Sequence, residues 1–182
     1  MALSKLLSCR ALDFSSRVDK LLSEKRDFAK SNKLLQEEVA CLLGKSRAEE
    51  VASDERVIVI SRPGVDVAFL TKASSIASEI RPRAVVFSWT NNQVGSGGSS
   101  GGGSSGGSAK RNADEENKGM FIIQGPPQVV QTIDLKPILS VINGKGGGKN
   151  GKVQGKATDM SQENALQVES MIREQLATTD EE

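Results

Sequence analysis

Leu7, Phe14, Leu21, Phe28, Leu35 and Leu42 recur every seven residues at the start of this chain. Ala11, Val18 and Val39 fill the other seam position, with Lys25 and Asn32 as its polar exceptions, and no proline or glycine interrupts the pattern before Gly44. A heptad sustained this far specifies one long helix rather than strands or short helices. Its length is about 40 residues, or roughly 60 Å at the α-helical rise. Such a stripe has to be buried against a second copy, another helix of the same chain, or a domain outside it. Lys25 and Asn32 on the seam would set register or oligomer state. Self-association and packing on its own domain both remain open. Gly44 is expected to end the helix, which makes residues 1–46 a coiled-coil-like helical arm and the charged stretch to Arg56 a linker.

Beyond the linker the periodicity changes. Val57–Ile60 is a short apolar strand and Arg62-Pro63-Gly64 a turn. From Asp66 to Ile80 the residues Val67, Leu70, Ala73, Ile76, Ala77 and Ile80 fall at helical spacing, and Pro82 closes that helix. Ala84–Trp89 is a second buried strand, so strand, helix and strand form a βαβ unit with parallel strands. Met120–Gln124 is a third strand, ended by Gly125-Pro126-Pro127. Val129–Ile142 reads as a helix with a break at Pro137, and Ser161 starts a terminal helix with Ala165, Val168, Met171, Ile172 and Leu176 on its apolar face. The fold class is therefore α/β: a long helix, then a small α/β domain over residues 55–177 with a sheet of three or more strands. Residues 95–118 interrupt that domain. Gly95–Ser108 contains only glycine and serine, and a charged run follows it, so the segment is expected to act as a connector between strands.

The stretch Asn143–Ala157 stands out chemically. Six glycines and four lysines fall in these fifteen residues, with no acidic residue among them. It reads as a Gly-rich loop before the terminal helix, in which glycine N–H groups can converge on an anion and Lys145, Lys149, Lys152 and Lys156 add charge. Gly146–Lys152 satisfies the first part of the nucleotide-triphosphate loop motif. Val153 then replaces the Ser or Thr that would hold magnesium, and a helix rather than a strand precedes the loop, so that reading is rejected. Two readings stand on residue types alone. One is contact with a nucleic-acid backbone through Gly144, Lys145, Gly146, Gly147, Gly148, Lys149, Lys152, Gln154, Gly155 and Lys156; the other is a soluble connector or a close packing device.

Composition removes several chemistries. The chain has no histidine, which excludes Ser–His and Cys–His nucleophile pairs and histidine-ligated zinc. Net charge is +1, so nucleic-acid contact has to come from a local patch. With five Phe, one Trp and no Tyr, the chain does not resemble the modules that stack unpaired bases on rows of aromatic rings. Cys9 and Cys41 fall on one helix, where a disulfide between them is geometrically excluded; they read as reduced thiols. No long apolar span and no secretory signal is evident, and the expected setting is cytoplasmic, without membrane contact. The amphipathic first residues admit a transit-peptide reading, but their periodicity runs unbroken into the helix. Asp66, Asp134 and Asp159 are scattered acids with no pairing that demands catalysis.

The order of parts resembles the C-terminal region of alanyl-tRNA synthetases, and is more similar to the freestanding alanyl-tRNA editing proteins of the long type. The specific motif is the GG-x-GGG…AQG signature of their globular subdomain, shared with DHH-type phosphoesterases. Gly144, Gly146, Gly147, Gly148, Gln154 and Gly155 fall on it, Asn143 and Val153 stand where Gly and Ala are common, and Lys149 replaces a basic residue that is commonly Arg. The resemblance implies an α/β accessory subdomain that assists binding of tRNA, alanine tRNA in the first place, or of another nucleic acid, preceded by a helical arm often used in homodimerisation. It also implies a zinc-dependent deacylase acting on serine or glycine mischarged onto alanine tRNA, in a separate N-terminal domain. The histidine and cysteine motifs of that zinc site have no counterpart here, so no cofactor is expected in this chain.

Overall fold

The structure is a computed structural model that describes residues 13–91 and 117–178. The chain divides into two compact units, Met1–Val39 and Ala40–Glu182. The Gly/Ser stretch and the heptad positions Leu7 and Ala11 lie outside the described residues. From Phe14 on, the described part of the first unit belongs to α1 (Phe14–Glu50). Most of its heptad residues are open to solvent: Phe28 is 72% exposed, and Leu21, Leu35 and Val39 are exposed as well, while Phe14 and Val18 are half-buried.

The second unit begins with the end of α1. The helix does not stop at Gly44 but runs through it to Glu50. Ala40, Gly44 and Ala48 are its buried residues, one per turn, and Ala40 and Ala48 cluster with Ala73 and Ala77. A Cβ on Gly44 would sit 2.3 Å from the Ala73 carbonyl oxygen, so this glycine permits a close approach of two helices instead of ending one. Leu42, on the heptad seam, stays 67% exposed. The packing face and the heptad face of α1 are therefore different faces.

The rest of the unit is a five-stranded sheet with helices on both sides. Its strands are β1 (Val57–Ser61), β2 (Val85–Asn91), β3 (Gly119–Gln124), β4 (Gly144–Lys149) and β5 (Lys152–Ala157), in the order β1-β2-β3-β5-β4. β1 and β2 are parallel and joined by helix α2 (Val67–Ile80), as the βαβ spacing predicts; the remaining pairs are antiparallel. Asp66 caps α2 by accepting a hydrogen bond from the Phe69 N–H at 2.8 Å. One face of the sheet (Ile58, Ile60, Val86) packs on α2 and the end of α1. The other (Val57, Val85, Phe87, Trp89, Phe121, Ile123, Val153) packs on α3 (Pro127–Thr132), α4 (Leu135–Val141) and α5 (Gln162–Thr178).

The helix expected over Val129–Ile142 is two helices. The break falls at Ile133 and Asp134, ahead of Pro137 rather than at it. Pro137 has no N–H and its ring would collide with the carbonyl four residues earlier, so it is accommodated in the first turn of a new helix. Asp134 caps that helix by accepting from the Lys136 N–H. No helix among the described residues is long and apolar enough to cross a membrane.

Candidate nucleic-acid interface

The loop expected over Asn143–Ala157 is a β-hairpin. Asn143 (φ 44°) leaves α4 in the left-handed region, which asparagine tolerates, and its carbonyl accepts from the Thr158 hydroxyl at 2.9 Å. β4 and β5 are then joined by Asn150 (φ 57°) and Gly151 (φ 78°), the Asn-Gly pair favoured in two-residue turns that need positive φ at both positions. The Gly125 N–H donates to the Gly151 carbonyl at 3.0 Å and ties the turn to the end of β3. The consecutive glycines 146–148 are thus strand residues, and the backbone nest expected of them is absent.

Strand alternation sorts the hairpin into two faces. Opposite residues are Lys145 and Lys156, Gly147 and Gln154, and Lys149 and Lys152, so all four lysines share one face with Gln154 between them. This is the face on which α2 lies: Lys152 Nζ donates to Thr71 Oγ1 of α2 at 3.2 Å. The opposite face carries Gly144, Gly146, Gly148, Val153, Gly155 and Ala157. There the Phe121 ring lies over glycines of both strands: a Cβ on Gly155 would be 2.6 Å from the ring and one on Gly146 2.9 Å. An aromatic side chain laid over strand glycines replaces the contacts their missing side chains cannot make. The predicted site residues are therefore brought together but divided in role. Lys145, Lys149, Lys152, Lys156 and Gln154 present chemistry, Gly144, Gly146, Gly148 and Gly155 allow packing, and Gly147 lies in the cationic face with nothing within 4 Å of a Cβ.

The electrostatics of that face are unbalanced. Lysines directly opposite one another on neighbouring strands repel, and here two such pairs sit on one hairpin. Among the described residues none of the four forms an ion pair. β4 is also the edge of the sheet, so one row of its backbone groups has no strand to pair with. Cationic side chains on a glycine-rich strand that is the sheet edge among the described residues suit a polyanion that approaches closely.

Two of the scattered acids have structural work: Asp66 and Asp134 cap helices. At Asp159 it is the backbone carbonyl that accepts from the Asn164 side-chain amide, at 3.1 Å. Among the described residues no group of three or more His, Cys, Asp or Glu could hold a metal.

Over 65 residues, 36% of its length, the chain is 37% identical to the alanyl-tRNA editing protein Aarsd1 of Rattus norvegicus. It is 40% identical over 55 residues to Aarsd1-A of Xenopus laevis. The chain is similar to alanyl-tRNA editing proteins. The match spans only 15% of the rat editing protein and 13% of the Xenopus one. Among solved structures, the C-Ala domain of Aquifex aeolicus alanyl-tRNA synthetase aligns with a TM-score of 0.45 at 16% identity, covering 68% of this chain and 95% of that domain. No protein-family profile matches the chain.

Proposed function

We propose that this chain is a tRNA-binding accessory domain of the alanyl-tRNA editing type, acting in the cytoplasm on alanine tRNA. The observation that carries the reading is the single cationic face of the β4–β5 hairpin, where Lys145, Lys149, Lys152 and Lys156 lie together with no ion pair among the described residues. The similarity to alanyl-tRNA editing proteins supports tRNA as the polyanion. Contacts to phosphates position a protein on RNA without reading its bases, so selectivity for alanine tRNA would rest on shape and on Gln154. The zinc of the editing reaction does not fit these residues: the chain contains no histidine. Deacylation belongs to another domain or another protein.

Fluorescence anisotropy with alanine tRNA at 50 and 200 mM salt tests this. Neutralising three to four phosphates should cost about one to two decades of affinity over that range. The Lys145→Glu, Lys149→Glu double variant should lose binding while keeping the circular dichroism and melting behaviour of the parent. Retained binding in that folded variant removes the hairpin from the interface.

A second reading has its own observation. The heptad positions Phe28, Leu35 and Leu42 of α1 are exposed at the spacing of a coiled-coil seam, which favours a homodimer through the long helix.

A further inference from the structure

Gln154 stands at the centre of the lysine face. On β5 it lies between Lys152 and Lys156, and across the hairpin it is opposite Gly147, whose neighbours on that face of β4 are Lys145 and Lys149. Its side chain is exposed and has no hydrogen-bond partner among the described residues. None of the four lysines donates to it; Lys152 Nζ is turned to Thr71 Oγ1 instead. On the β3 side its neighbour is the buried Ile122, which offers no polar side-chain atom. On the β4 side Gly147 leaves open space, with nothing within 4 Å of where a Cβ would stand. The amide is therefore accessible to whatever lies along the lysines.

Hydrogen-bond chemistry gives this residue a different task from the lysines. Ammonium groups only donate and phosphate oxygens only accept, so the four lysines match phosphates completely. Among the side chains that β4 and β5 place on this face, only Gln154 both donates and accepts, and its carbonyl oxygen needs a donor that a phosphate does not carry. Lys152 and Lys156 are about 13 Å apart at a strand rise of about 3.3 Å per residue, too far for one phosphate to bridge. A backbone laid along the strands therefore sets different phosphates on the two lysine pairs and carries the sugars between them past Gln154. In RNA each of those sugars bears a 2′-hydroxyl, both donor and acceptor, displayed in the wide, shallow groove of an A-form helix; a DNA backbone has no donor there. We infer that Gln154 reads a ribose 2′-hydroxyl, so that the lysine face selects RNA over DNA before any base is read. This inference rests on the RNA-binding reading of the same face.

The test uses the full chain and one RNA hairpin of mixed sequence in two sugar forms, ribose and 2′-fluoro. The fluorine keeps the A-form helix and every phosphate and removes only the hydroxyl that donates. Phosphate contacts do not read bases, so such a hairpin has to bind at about 50 mM salt. Fluorescence anisotropy should give about three- to tenfold weaker binding of the 2′-fluoro form, the order of one lost hydrogen bond. Gln154→Met keeps the length of the side chain and removes its polar atoms. It should bind the ribose hairpin about three- to tenfold less tightly than the parent and no longer distinguish the two sugars, with an unchanged urea midpoint. Equal binding of both sugars by the parent would overturn the assignment. So would a Gln154→Met variant that loses the same factor on both hairpins, which places Gln154 on a base edge instead. The Lys145→Glu, Lys149→Glu variant separates this inference from the reading beneath it. If that folded variant binds the ribose hairpin as tightly as the parent, or the parent does not bind it at all, the lysine face is not the interface and both fail. If the variant loses binding while the parent ignores the sugar, the lysine face stands and only the ribose reading fails.

Discussion

Gly155 and Gly147 lie on neighbouring strands of one hairpin and answer different demands. At Gly155 a Cβ would be 2.5 Å from the Lys145 carbonyl oxygen and 2.6 Å from the Phe121 ring, so the strand pair and the ring would have to part. Gly155→Ala should destabilise the fold by about 1–3 kcal/mol, the range for overpacking a closed site. At Gly147 nothing lies within 4 Å, so Gly147→Ala should stay within about 0.5 kcal/mol of the parent. Urea denaturation of both variants checks the pair, and equal midpoints would refute the packing role of Phe121. Gly147→Glu goes further. It sets a carboxylate among the four lysines without touching the core, and should cut tRNA affinity at least about tenfold with an unchanged urea midpoint. Residue types alone do not distinguish these glycines. GKGGGK looks like a loop because strands rarely carry three glycines in a row, and only the register against Phe121, more than twenty residues upstream, shows why they are tolerated. The Asn150-Gly151 pair was the local signal for a hairpin, flanked directly by Lys149 and Lys152.

At the scale of elements, the end of α1 is held by two devices that read poorly in sequence. Glycine in an exposed helix interior costs about 1 kcal/mol against alanine, so Gly44→Ala would ordinarily stabilise. Here the new methyl meets the Ala73 backbone at 2.3 Å, and α1 and α2 cannot keep their distance. The variant should be less stable than the parent by about 1–3 kcal/mol, as overpacking costs. A rise in melting temperature would show that α1 ends loosely at this point. The second device is Arg81, just past α2. Its guanidinium donates to the carbonyls of Val51, Ala52, Ser53 and Glu55, and so fastens the link between α1 and β1. Arg81→Ala should cost about 1–3 kcal/mol, and Arg81→Lys should recover only part of it because an ammonium cannot span four carbonyls. The first three strands and α2 and α5 were legible because apolar runs and helical spacing reflect burial directly. The fourth and fifth strands were not, since β4 has no apolar side chain and β5 buries only Val153 and Ala157, while the Phe121 ring covers their glycines. The break before Pro137 was displaced for a similar reason: proline fits the first turn of a helix, and the chain breaks upstream to place it there.

At the scale of the whole molecule the open question of energy is the heptad face of α1. Phe28, Leu35 and Leu42 expose large apolar surface on a helix whose buried residues are Ala40, Gly44 and Ala48. Exposed Leu and Phe at seven-residue spacing lose hydrophobic stabilisation of roughly 1.5–3 kcal/mol for each side chain that could be buried. Two copies seam to seam would recover it, and Asn32 with Lys25 would select the register. Multi-angle light scattering of the parent should then give a dimer mass, and Leu35→Asp a monomer mass. The packing of α1 on α2 around Gly44 uses other residues, so the variant's sheet domain should melt as before. That independence matters for the RNA reading, because a dimer presents two lysine faces. Linking two sites raises avidity without any new contact, so Leu35→Asp should weaken tRNA binding only where one RNA reaches both faces. If the monomeric variant binds as tightly as the parent, one hairpin carries the whole affinity. If binding falls with dimerisation while the lysines are intact, the long helix serves the interface by pairing two hairpins.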